Sequence, residues 1–217
     1  MFYWLSQLRS VFFEFNIFKY ITFRASMAAV TTFVLCIILG PLFIKYSKER
    51  AIRERAKRED CPALDKFQVS KEGIPTMGGI FIIGSIIISV LLWADLSNRY
   101  IILTLLTCLF FAFLGGVDDY IKLTKKGKYR GLRARTKFIL EVLWGCSIGA
   151  CIYLSPGINT QIDVPFLKSL VLDLGVLYIP FVALVIVGAT NAVNLTDGMD
   201  GLAIGCVMIV SATLSVL

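Results

Sequence analysis

Six stretches of this chain, at about 21 to 44, 77 to 94, 100 to 117, 138 to 154, 176 to 193 and 200 to 217, are nearly continuous runs of apolar residues. Each comes close to the ~20 residues that a helix needs to cross a bilayer. The expected fold is therefore all-α, a polytopic membrane helix bundle of about six transmembrane helices forming a single membrane domain over residues 1–217. Composition points the same way: 57% of residues are hydrophobic, 17% are charged and the mean hydropathy is +0.78. That is too apolar for an ordinary soluble domain.

Ahead of the first run, residues 1–20 carry Phe2, Tyr3, Trp4, Phe12, Phe13, Phe15, Phe18 and Tyr20, interrupted by Arg9, Glu14, Asn16 and Lys19. Aromatic rings mixed with charges suit an interfacial segment, not a span. The segment also lacks the pattern of a cleaved secretory signal, so the first span is expected to stay attached. Arg24 can snorkel to the interface, and Pro41 is expected to kink or end the first helix.

Lys and Arg set the expected orientation. Nine lie between Lys45 and Lys71 and eight between Lys122 and Lys137, against Arg99 alone around 95–99 and Lys168 alone in 155–175. The positive-inside rule puts the two rich loops in the cytoplasm and the N-terminus outside. The net charge of +7 is thus a topology signal, and no aromatic-interleaved basic motif suggests nucleic acid. The basic loop can also attract anionic membrane lipids at ~1 kcal/mol per Lys or Arg near the surface. The mixed-sign run at 48–60 reads as a solvated helix. With no histidine in the chain, acid–base work falls to Asp, Glu, Lys or Tyr. Without a CxxC pair, the six cysteines support neither a zinc site nor a disulfide framework.

On this topology three polar clusters share the cytoplasmic side. In GGVDDYIK, residues 115–122, Asp118 and Asp119 sit at the end of an apolar run. Adjacent carboxylates repel unless a cation or basic group offsets them, and Mg²⁺ with substrate phosphates is the chemistry this suggests. Side chains of adjacent helical residues diverge by about 100°, so the two are expected to divide the work. Lys122, four residues after Asp118, can pair with it or hold a phosphate. In KEGIPTMGG, residues 71–79, Lys71, Thr76 and the glycine pair either bind an anion at a helix start or form a turn and a packing surface. In NAVNLTDGMDGL, Asn191, Asn194, Asp197 and Asp200 recur every third residue, as a polar stripe for a nucleotide or metal, or in part as helix capping.

Together these motifs resemble the phospho-N-acetylmuramoyl-pentapeptide-transferase family, within the polyprenyl-phosphate sugar-1-phosphate transferases. The resemblance runs from NIFKYITFRA at 16–25 through IPTMGGI and GGVDDYIK to NAVNLTDGMDGLAI at 191–204. It implies a Mg²⁺-dependent enzyme of the bacterial cytoplasmic (inner) membrane. Its substrates would be UDP-MurNAc-pentapeptide and undecaprenyl phosphate, and its products UMP and lipid I, a precursor of peptidoglycan. Asp118 then resembles the group that deprotonates the lipid phosphate or acts as nucleophile, with Asp119 its acidic neighbour. Lys71, Thr76, Lys122, Lys137, Asn191, Asn194, Asp197 and Asp200 resemble the substrate-binding set, and Asp119 and Asp197 the metal side. A homodimer stays open as a partner.

The family has about ten spans, and its later half supplies a further metal-binding Asp and a histidine-rich loop. This chain ends at Leu217, so it is expected to hold the N-terminal part of such a site, active or inactive by itself. A related transferase for another N-acetylhexosamine phosphate is the nearest alternative. A transporter would need broken helices and a midplane site, and a non-catalytic scaffold would tolerate loss of Asp118.

Overall fold

The computed structural model describes residues 2–10, 13–49, 78–124, 131–155, 160–163, 171–196 and 201–216. Among these residues lie six α-helices: α1 (Ile21–Glu49), α2 (Gly79–Trp93), α3 (Arg99–Thr124), α4 (Ala134–Tyr153), α5 (Tyr178–Thr196) and α6 (Leu202–Val216). The chain is an all-α membrane-type protein, as its apolar runs require. Four helical stretches, Ile21–Ser47, Arg99–Lys122, Ala134–Tyr153 and Gly175–Thr196, are long and apolar enough to cross a membrane. The second and sixth runs depart from expectation, because α2 and α6 have 15 residues each. At 1.5 Å per residue that is about 22 Å, short of the ~30 Å hydrocarbon core. Most of the mixed-charge run at 48–60 lies outside the described residues.

The chain divides into two compact units, Met1–Leu132 and Arg133–Leu217. In the first, α1 runs through Pro41 to Glu49, so the proline does not end the helix as expected. Close by, α1 packs on α2: Gly40 faces Phe81, and the Phe43 and Phe81 ring centroids are 5.3 Å apart. Towards the other end, the Ser89 hydroxyl donates to the Ala28 carbonyl at 2.6 Å and Trp93 Nε1 donates to Thr31 Oγ1 at 2.9 Å. These bonds satisfy polar groups that would otherwise be orphaned in an apolar pair.

The N-terminal segment forms two 3₁₀ helices, Phe2–Ser10 and Phe13–Lys19, and not a spanning helix. It folds back on Trp93, with ring centroids 4.6 Å away for Phe2 and 6.1 Å for both Phe18 and Phe23. Arg24 does not simply snorkel to water; its guanidinium lies 4.7 Å over the Tyr3 ring. Asn98 caps α3, its Oδ1 accepting the Tyr100 N–H at 2.9 Å.

In the second unit α4 and α5 run antiparallel in close contact. A Cβ at Gly145 would lie 2.8 Å from the Ala183 Cα, and one at Gly149 would lie 2.9 Å from the Ile179 carbonyl oxygen. Two missing side chains, four residues apart on one face, let the backbones meet, as small residues do in membrane helix pairs. Between these helices is one feature the all-α expectation did not contain, an antiparallel hairpin of β1 (Gln161–Asp163) and β2 (Val171–Asp173) with Ile162 opposite Leu172. The Thr160 hydroxyl and then the Gly175 N–H donate to Asp173 Oδ1, which holds its carboxyl below the usual value.

Candidate functional site

Asp118, Asp119 and Lys122 do not trail off at a helix end. Hydropathy falls after residue 117, but α3 continues to Thr124 and carries all three on regular helical geometry. Lys122 Nζ stands 2.6 Å from Asp118 Oδ2 and 3.2 Å from Asp119 Oδ1. Helical spacing explains this fork, because both the third and the fourth residue before a lysine lie within its reach. One ammonium thus offsets the repulsion of two adjacent carboxylates.

The two aspartates are not equivalent. Asp118 is 14% exposed and Asp119 48% exposed. Asp118 Oδ1 accepts the Leu132 backbone N–H at 2.7 Å, so both of its oxygens are engaged. Asp119 Oδ2 has no partner among the described residues and is open to a ligand. The Leu132 bond depends on the preceding residue, Gly131, whose φ is +105°. A Cβ there would sit 2.6 Å from Asp118 Oδ1. Gly131→Ala should therefore break the Leu132–Asp118 bond at a cost of ~1–3 kcal/mol. Hydrogen exchange at the Leu132 amide should quicken by about 5- to 150-fold, and an unchanged rate would refute this reading of the turn.

The second unit holds the other placed residues. Because α4 begins at Ala134, a turn before its apolar run, Lys137 is helical and not part of the basic loop. Lys137 Nζ donates to Asn194 Oδ1 at 3.4 Å. One turn further along α4, Glu141 Oε2 accepts the Asn191 Nδ2 at 2.7 Å, and the same nitrogen donates to the Val187 carbonyl at 2.9 Å. The asparagines of the polar stripe therefore lie on α5 against the start of α4. Lys71, Thr76, Asp197 and Asp200 lie outside the described residues.

Sequence reasoning missed Glu141 and the Leu132 amide. Glu141 had a usable signal, since it is a carboxylate inside an apolar run. The amide had none. Five cysteines, Cys36, Cys108, Cys146, Cys151 and Cys206, are free, in keeping with the absence of a disulfide framework from the sequence pattern.

For a divalent cation, the available donors are hard oxygens. No cluster of three or more His, Cys, Asp or Glu residues occurs among the described residues, so an all-protein cage is not offered there. An exposed carboxylate with an open oxygen, Asp119, fits a Mg²⁺ ion bound through one or two carboxylates and substrate phosphates.

Residues 100–217, over half of the chain, match glycosyl transferase family 4. This chain belongs to that family. Residues 71–83 also match signature 1 of phospho-N-acetylmuramoyl-pentapeptide-transferase, a stretch that includes Lys71 and Thr76 and enters α2. Among curated relatives, proteins named phospho-N-acetylmuramoyl-pentapeptide-transferase are 45% identical over 213 residues in Desulforapulum autotrophicum and 46% identical over 213 residues in Desulfotalea psychrophila. A third, from Pelobacter propionicus, is 48% identical over 199 residues. The matches cover 98%, 98% and 92% of this chain but 58%, 58% and 54% of the relatives, so the chain spans little more than half their length.

Proposed function

We propose that this chain carries out, within a protein of its relatives' type, transfer of phospho-MurNAc-pentapeptide from UDP-MurNAc-pentapeptide to undecaprenyl phosphate. The products would be lipid I and UMP, feeding the peptidoglycan synthesis on which cell shape and division depend. The observation that carries this reading is the pairing of the signature match at 71–83 with the Asp118–Asp119–Lys122 constellation inside the family match.

In the reaction, an oxygen of the lipid phosphate attacks the sugar-bearing phosphorus of the nucleotide sugar. The bond from that phosphorus to UMP breaks, and the proton of the lipid phosphate passes to Asp118. Lys122 holds Asp118 ionised and in place before attack, and its ammonium is near enough to Asp119 to meet an incoming phosphate oxygen. Mg²⁺, held by Asp119 and by Asp197, would supply charge neutralisation on the diphosphate. On the nucleotide side, Lys137, Asn191 and Asn194 act with Lys71, Thr76 and Asp200. The concentration of Lys and Arg at 45–71 and 122–137 supports a site at the cytoplasmic face of the bacterial inner membrane.

UMP release tests this reading. Residues 1–217, and the reading frame extended to the relatives' length, are purified in detergent and given both substrates with Mg²⁺ or with a chelator. Mg²⁺-dependent release from either form is expected. No release from the extended form would sink the reading, and release with UDP-N-acetylglucosamine in preference to the muramoyl substrate would favour a sister transferase.

A further inference from the structure

Glu141 has no solvent exposure, and its Oε1 has no hydrogen-bond partner among the described residues. A buried carboxyl served by a single side-chain amide is a poor way to join two helices, because an apolar residue of similar size packs there at lower cost. Nor do α4 and α5 need it, since Gly145 and Gly149 already bring their backbones together. The buried carboxyl must be understood through what it does to its partner.

That partner is Asn191. The Val187 carbonyl can only accept, so the nitrogen of the Asn191 carboxamide faces it, and Glu141 Oε2 takes the same nitrogen's second proton. A carboxamide with both protons engaged has only Oδ1 left to offer, as an acceptor. Asn194 is set the other way, because Lys137 donates to its Oδ1 and leaves its N–H groups for a ligand. The two asparagines of the stripe are alike in sequence but opposite in what they present.

We propose that Glu141 is a positioning residue that fixes the Asn191 carboxamide with its carbonyl oxygen free, so that this point of the site recognises a hydroxyl or N–H donor on the uridine part of the nucleotide sugar. The proposal rests on the transferase reading. An ether or carbonyl group of a ligand would set oxygen against oxygen at Asn191 and be rejected. If Glu141 is replaced by an apolar residue, the carboxamide loses one of its two anchors and can turn either face outward.

The test is UDP binding by calorimetry to the purified chain and to its extended form, for wild type, Glu141→Gln and Glu141→Leu, with and without Mg²⁺. Glutamine keeps an acceptor for Asn191 and should bind within about twofold of wild type. Leucine should weaken UDP by about tenfold whether or not Mg²⁺ is present, the loss of one well-oriented hydrogen bond. Two analogues separate the donors: 2′-deoxy-UDP lacks a ribose hydroxyl and N3-methyl-UDP lacks the imide proton. The one without the donor read by Asn191 should bind all three proteins alike. Wild-type affinity in Glu141→Leu overturns the proposal, as does a loss seen only with Mg²⁺, which would make Asn191 Oδ1 a cation ligand. A smaller binding-competent fraction at unchanged Kd marks a merely structural role and also overturns it. If wild type itself fails to bind UDP in both forms, the transferase reading falls, and the proposal falls with it.

Discussion

Asp118→Asn is expected to lower UMP release by about 10²–10⁴-fold, the range for loss of a general acid–base group, with little change in thermal unfolding. An amide at this position cannot satisfy both neighbours. Lys122 Nζ at 2.6 Å and the Leu132 N–H at 2.7 Å are both donors. The asparagine NH₂ must face one of them, so one contact becomes donor against donor. The residue also loses the charge that would accept the lipid phosphate's proton. Stability should change little, because an i,i+4 pair at a helix surface contributes only about 0.3–0.5 kcal/mol. Assay of UMP release beside a melting curve in detergent separates the two effects. Turnover within threefold of wild type would exclude Asp118 from the chemistry.

Gly145→Leu is expected to disrupt the second unit as a whole. The added Cβ would lie 2.8 Å from the Ala183 Cα and 3.1 Å from its Cβ. Backbone cannot swing aside as a long side chain can, so α4 and α5 must separate. Overpacking of this kind costs ~1–3 kcal/mol, and here it also removes the close approach that holds a membrane helix pair together. Glu141 would be drawn away from Asn191, and Lys137 from Asn194. The variant should melt earlier, and UMP release should fall by more than about tenfold if one oriented contact is lost. Gly188→Leu on the same α5 is the control, since nothing lies within 4 Å of a Cβ there. Equal behaviour of the two variants would mean that the glycine contact does not hold the pair.

Much of the arrangement was readable from local spacing. The link between Asp118 and Lys122 follows from a four-residue separation on a helix, and the placing of Asn191 and Asn194 follows from helical continuation of α5 to Thr196. Helix ends were harder, because hydropathy marks where lipid contact stops while backbone hydrogen bonding runs on. α3 therefore outlasts its apolar run to reach Thr124, and α4 begins before its own. The bond from Leu132 to Asp118 joins residues 14 apart and needs a positive φ at Gly131. No periodicity in the sequence carries such a contact. Pro41 was misleading for a related reason: its fixed φ suits a helix, and only one backbone bond is forfeited there.

The separation of Glu141 from Asn191 also bears on how the chain is made. Ser89 and Trp93 enter the membrane when their partners, Ala28 and Thr31, have already been synthesised. Glu141 emerges 50 residues before Asn191. At about 5–20 residues per second of synthesis, it waits about 2.5–10 s for its amide. During that interval the translocon or the bilayer must shelter a carboxyl group that the finished protein buries completely. Among the buried polar contacts described, it is at α4 that biogenesis has most to lose from a pause in translation.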